Sequence, residues 1–212
     1  MTLAVKRFPK AQTVDYKVFR GEIRSGDLLL CSGSGLFSRM IQAATGSVWS
    51  HVGFVMRLDY IDRVMVLESL EPLGVRTVPL SKYLYDYDSN ATPYPGGLAI
   101  ARHAAFEKIA RRENRAALRK LGQFAVDLFG YPYDSVEIAR IAARIAASHL
   151  PFKGADRRAL KRDREFICSE YVWECYNALG IRVSYDEKGF VAPADFAKEK
   201  DVKLQAVLRK RN

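Results

Sequence analysis

At 212 residues, with 49% hydrophobic and 11% aromatic residues, the chain suits one domain with an ordinary core and is too apolar to be disordered. No apolar run approaches the roughly 18 residues that span a bilayer. Met1 to Lys17 carries scattered charges where a signal peptide would have an apolar core, so a cytoplasmic protein is expected. The formal charge of +10, concentrated in residues 111–120, 153–164 and 198–211, favours anionic partners, and no nucleic-acid-binding motif accompanies it.

In chain order, Leu28, Leu29 and Leu30 after the turn Ser25-Gly26 read as a short buried strand. Leu36, Phe37, Met40, Ile41 and Ala44 recur at helical spacing, between a Ser34 cap and a stop at Gly46. His51 to Leu58 and Val64 to Leu70 are apolar and rich in β-branched residues, and Asp59-Tyr60-Ile61-Asp62 joins them as a hairpin. Gly74 to Leu80 and Leu98 to Arg102 are weaker strands. Three helices follow. The first carries Ala117, Leu118, Leu121, Phe124, Ala125 and Leu128 as one stripe and stops at Gly130. The second runs from Val136 to near Pro151. The third runs from Ile167 to Leu179 and is closed by Gly180. Strands first and helices later argue for an α+β domain, a small antiparallel sheet packed against helices.

Cys168 falls in the first turn of the third helix, in Phe166-Ile167-Cys168-Ser169-Glu170. Unpaired N–H groups and the helix dipole there stabilise a thiolate, the form a nucleophile needs. The backbone N–H of Cys168 can also donate to an oxyanion. Cys175 lies two turns on, about 10 Å along the axis, too far for a disulfide, and reads as packing. Cys31, at a strand end, is a weaker nucleophile. The three cysteines and three histidines lack metal-site spacing, so no metal and no cofactor is expected. His51 opens the first hairpin strand. One antiparallel register sets it directly opposite Glu68; a slip of two residues leaves the pair diagonal on one face, still in reach. A carboxylate there orients the imidazole and stabilises the imidazolium. Glu71 is the rival acid, on the other face by parity. His103 and His149 are assigned surface roles.

Gly26-Asp27-Leu28-Leu29-Leu30, the helix ending Thr45-Gly46, Ser50-His51-Val52-Gly53, the Glu68 strand, Tyr131-Pro132-Tyr133-Asp134, the Cys168-Ser169 helix start and Ala192-Pro193-Ala194-Asp195-Phe196 follow in an order that resembles the circularly permuted NlpC-type papain-like proteins. The branch most resembled is the YiiX-like one, distantly related to lecithin retinol acyltransferase. The resemblance implies one permuted papain-like domain over residues 1–212, with a basic helical insertion at about 104–165. It implies a catalytic triad of Cys168, His51 and Glu68, and attack on an amide or ester carbonyl through a thioester. The expected function is a cysteine-dependent hydrolase of amide or peptide bonds. One alternative is a lipid-directed acyltransferase or thioesterase, whose basic helix, with Arg140, Arg144, Arg157, Arg158, Lys161 and Arg162, meets an anionic membrane surface. Another is a non-catalytic basic module that binds membrane or nucleic acid. The expected partner is a peptide, amide or lipid ester substrate, with no nucleic acid.

Overall fold

The computed structural model describes residues 3–106, 115–134, 167–184 and 191–210. The second predicted helix, His149 and the basic residues 140–164 lie outside them.

Among the described residues, seven strands form one sheet in the order β1-β7-β6-β2-β3-β4-β5. They are β1 (Thr13–Asp15), β2 (Leu28–Gly33), β3 (His51–Leu58), β4 (Arg63–Leu70), β5 (Gly74–Pro79), β6 (Gly96–His103) and β7 (Val202–Arg209). All neighbours pair antiparallel except β1 and β7, which run parallel. Among the described residues, six α-helices accompany them: α1 (Tyr16–Phe19), α2 (Leu36–Thr45), α3 (Leu80–Tyr85), α4 (Arg115–Asp127), α5 (Cys168–Asn177) and α6 (Pro193–Lys198). Mixed α and β content is as expected, but the sheet is larger than the small antiparallel one foreseen, and a strand returns after the last helix. In β7 the apolar Val202, Ala206, Val207 and Leu208 are buried while Lys203 and Arg209 reach solvent. Those bases make the segment look like a charged tail. A bulge in β6 between Ile100 and Ala101 further disturbs the alternation with its partner.

Both faces of the sheet are covered, which is why its central strands read as unbroken apolar runs. Leu28, Leu30, Val52, Phe54 and Leu67 face α4 and α5, against Leu121, Ala125, Tyr171, Val172 and Tyr176. Leu29, Cys31, Val55, Val66 and Ile100 face α1 and α3, against Tyr16, Leu80, Tyr83 and Leu84. Asp27, 1% exposed, ties the turn before β2 to β6, for Arg102 donates to both its oxygens at 2.6 and 2.8 Å.

The ends of α2 and α5 decide where the site lies. Gly46 closes α2 in the left-handed conformation, φ +59, as the sequence predicts. The N-cap of α2 is Gly35, not Ser34, with no side-chain bond. Ser34 Oγ instead donates to the Pro95 carbonyl at 2.8 Å. The α5 helix starts at Cys168 and packs across β3 and β4, which carries its amino end to the end of the sheet where β3 begins.

Candidate active site

His51 is the first residue of β3 and is 8% exposed. Its approach is pinned by Ser50, whose N–H donates to the Cys31 carbonyl at 2.9 Å and whose Oγ accepts the Gly33 N–H at 2.9 Å. The β3–β4 ladder pairs Phe54 with Leu67 and Val55 with Val66. Continued to the strand ends, this register makes His51 and Glu68 diagonal neighbours on one face and sets Gly53 across from Glu68. The missing side chain at Gly53 leaves the Glu68 carboxylate free to lean towards the imidazole. A Cβ at that position would stand 2.5 Å from Val66 Cγ1 and 3.8 Å from Glu68 Cβ. His51 Nε2–H donates to Glu68 Oε2 at 2.7 Å.

Glu68 is fully buried, and every donor around it favours its charged form. Arg76, its cross-strand partner on β5, donates from Nε and Nη2 to Oε1, each at 3.0 Å. The Tyr83 hydroxyl, brought by α3, donates to Oε2. Burial alone pushes the carboxyl pKa up. The hydrogen bond and charge of His51, with Arg76 and Tyr83, outweigh it and hold the pKa below the ordinary value. Arg76 and Tyr83 went unnoticed in the sequence, because only the β4–β5 register and the turn into α3 bring them to Glu68.

On its other side His51 meets Cys168. Burial opposes charge on the imidazole. The charge of Cys168 and a hydrogen bond with its side chain, followed by those of Glu68, overcome that and raise the His51 pKa to about 10. With Nε2 engaged by Glu68, Nδ1 is the ring nitrogen left for the sulfur. The thiol is nearly buried, 4% exposed, at the first residue of α5, where the helix N–H groups lack intrahelical acceptors. The three side chains singled out in the sequence, Cys168, His51 and Glu68, therefore stand together.

Cys31 lies directly across from His51 on β2, wholly buried. Burial pushes its thiol far up, and the nearby Glu68 charge adds to that, so it stays protonated. Cys175 is buried in the core and its thiol is likewise pushed up by burial. Glu71 follows the end of β4, exposed at the rim of the site. His103 departs from its assigned surface role. It is 3% exposed, accepts the Ala105 N–H at Nδ1 at 3.1 Å, and turns its ring edge to Tyr176. It closes β6 on the face of the sheet covered by α5, a placement its charged sequence neighbours conceal.

A cavity of about 250 Å³ opens onto Cys168 and His51. Ser50, Ser69, Tyr87, Tyr94 and Tyr133 wall it, and Ser34, Phe37 and Ser38 of the β2–α2 region form another side. Tyr133 is set by two backbone bonds of its segment to β5, Val75 N–H to the Tyr131 carbonyl at 2.8 Å and Gly130 N–H to the Val75 carbonyl at 3.0 Å. Gly74, at φ +72, permits that approach: a Cβ there would lie 2.1 Å from the Tyr131 oxygen. Burial, and next the charge of Cys168, pushes the Tyr133 phenol up, so it stays a hydrogen-bond donor.

No protein-family model matches the chain. Over 179 residues it is 26% identical to YiiX of Escherichia coli K12, an uncharacterized protein, across 82% of this chain and 68% of that protein. Among solved structures it is similar to the metalloprotein YiiX of Escherichia coli O157:H7, with a TM-score of 0.57 and 20% identity, across 86% of this chain and 96% of that one. The chain is thus homologous to YiiX over most of its length and shares its fold.

Proposed function

We propose that the protein is a cysteine-dependent hydrolase of permuted papain-like type that cleaves amide or peptide bonds through a thioester on Cys168. The observation that carries the reading is the His51 imidazole held between the Cys168 thiol and the buried Glu68 carboxylate at a cavity wall. An imidazole whose pKa is raised to about 10 is protonated at neutral pH, which favours a thiolate–imidazolium pair.

In the first half-reaction the Cys168 sulfur attacks the carbonyl carbon and the carbonyl π electrons move to oxygen. The N–H of Cys168 donates to that oxyanion, and the first turn of α5 adds its dipole. The tetrahedral adduct collapses, the C–N bond breaks, and His51 gives its proton to the departing amine. In the second half-reaction the neutral His51 takes a proton from water, whose oxygen attacks the thioester. Collapse releases the acid and restores the thiolate–imidazolium pair. Glu68 stays ionised throughout, steering the ring and stabilising its charge.

The metalloprotein description belongs to the YiiX of Escherichia coli O157:H7. Among the described residues here, no three His, Cys, Asp or Glu side chains converge as a ligand set, and His51 Nε2 is committed to Glu68. These residues do not fit a metal centre, and no step is routed through one.

The test is intact-protein mass spectrometry after incubation with a panel of activated peptide, isopeptide, ester and thioester substrates. An acyl adduct mapped to Cys168, and absent in Cys168→Ala, is expected. Turnover by Cys168→Ala equal to the parent's would overturn the reading.

A further inference from the structure

The α2 helix is amphipathic, yet it buries none of its ten residues. Leu36 and Met40, one turn apart on the same face, are 82% and 42% exposed. The reason is positional: α2 follows β2, and its side chains join neither of the two cores that cover the sheet, while Phe37 packs against Tyr133 and Ile167. A polar pin holds it there. Gln42 Nε2 donates to the Gly33 carbonyl and to the Val48 carbonyl, each at 3.0 Å. Phe37 and Ser38 on the same helix line the cavity above Cys168. The apolar stripe is therefore turned outward beside the mouth of the candidate active site.

The segments that carry and flank this stripe are basic, and the one acid lining the neighbouring cavity mouth, Glu71, belongs to the end of β4. Residues 1–14 and 28–50 contain no acid, and their bases are Lys6, Arg7, Lys10 and Arg39. All four are exposed. The fold ties the segment that carries Lys6 and Arg7 to the turn leaving α2. The Val48 N–H donates to the Val5 carbonyl at 2.9 Å, the Trp49 Nε1–H donates to the Ala4 carbonyl at 2.9 Å, and the Phe8 ring packs on Trp49. A second exposed apolar group among the described residues, Leu58, Tyr60 and Ile61, sits at the far end of β3 and differs in charge. There Asp59 and Asp62 pair with Arg57 and Arg20, cancelling the basic field.

We infer that the α2 face is an interfacial docking surface for an anionic lipid bilayer, with Leu36 and Met40 entering the headgroup region and Lys6, Arg7, Lys10 and Arg39 meeting the phosphates. Exposed leucine and methionine on segments that carry bases and no acid match such a surface in both apolarity and charge. Docking in this orientation presents the cavity mouth to the bilayer, so the carbonyl attacked by Cys168 belongs to a membrane-associated molecule. That last step rests on the proposed hydrolase; the docking does not.

The experiment is co-sedimentation of the full chain with phosphatidylcholine vesicles, with and without phosphatidylglycerol. Binding only to the anionic vesicles is expected, weakening as salt rises. Leu36→Asp with Met40→Asp should lower the affinity by about tenfold or more. Lys6→Gln, Arg7→Gln and Arg39→Gln together should lower it by a similar factor and flatten the salt dependence. Tyr60→Asp, at the far end, should change nothing. Melting curves by circular dichroism check that each variant is folded. Absence of binding by the parent, or loss in Tyr60→Asp with none in the α2 variants, would overturn the inference. So would binding of the α2 face to a soluble protein with vesicles ignored. Cys168→Ala should bind vesicles as the parent does, so docking and hydrolysis fail or stand separately.

Discussion

Replacing Cys168 by alanine removes the strongest influence holding a proton on His51. In the parent, the rise of the imidazole pKa from 6.5 to about 10 is worth roughly 5 kcal/mol in favour of the imidazolium. It is a net figure, in which burial pulls the other way, Cys168 contributes most to the rise, and Glu68 follows. With alanine at 168 the burial persists and Glu68 opposes it alone, so the pKa must fall, by at least a tenfold change in proton affinity, about 1.4 kcal/mol. The assay is an NMR titration of imidazole C–H resonances, simple because the chain has three histidines. His103 should stand apart on the acid side, because burial lowers its pKa, only partly countered by Asp201 and Glu199. In the parent the His51 step should lie far to the alkaline side. Folding raises the pKa of His51, so its stabilisation is complete below about 6.5 and is lost as pH climbs through about 10. The melting temperature should fall across that window more steeply in the parent than in Cys168→Ala. An unchanged His51 titration in the variant would refute the coupling, and with it the thiolate–imidazolium pair.

Iodoacetamide should alkylate Cys168 much faster than Cys31 or Cys175, which are fully buried, and peptide mapping showing equal rates would remove Cys168 as nucleophile. Tyr83→Phe deletes a donor to the Glu68 carboxylate; the unfolding free energy should drop by about 2 kcal/mol, and kcat should fall with KM nearly constant. Unchanged urea melts and unchanged kcat would show that Tyr83 does not position Glu68. Gly74→Ala forces a side chain into a left-handed backbone and against the Tyr131 carbonyl, and should cost more than about 2 kcal/mol in denaturant unfolding. Parent-like stability there would mean that the segment carrying Tyr133 is not held by β5.

Local signals were sufficient wherever a feature depends on a few consecutive residues. Gly46 ends α2, Gly180 follows α5 in the left-handed conformation, and Cys168 opens α5, all as periodicity and capping require. The hairpin of β3 and β4 was legible from its β-branched runs, and with it the face shared by His51 and Glu68. The exact register was not. A period of two fixes the face, while the choice between an opposite and a diagonal partner depends on turn geometry and on the bare Gly53 that gives Glu68 its room.

What the tertiary structure decided involves residues far apart in the chain. Arg76 and Tyr83 reach Glu68 only because β5 pairs with β4 and α3 folds back over the sheet. No local pattern marks either as part of the site. The burial of His103 and the pairing of β7 with both β1 and β6 depend on contacts that charged sequence neighbours disguise. The α2 helix shows the same division. Its sequence determined that it would be amphipathic, whereas its position outside the two cores that cover the sheet determined that the apolar stripe faces outward. Periodicity specifies which residues share a face; only the packing of distant elements specifies what that face meets.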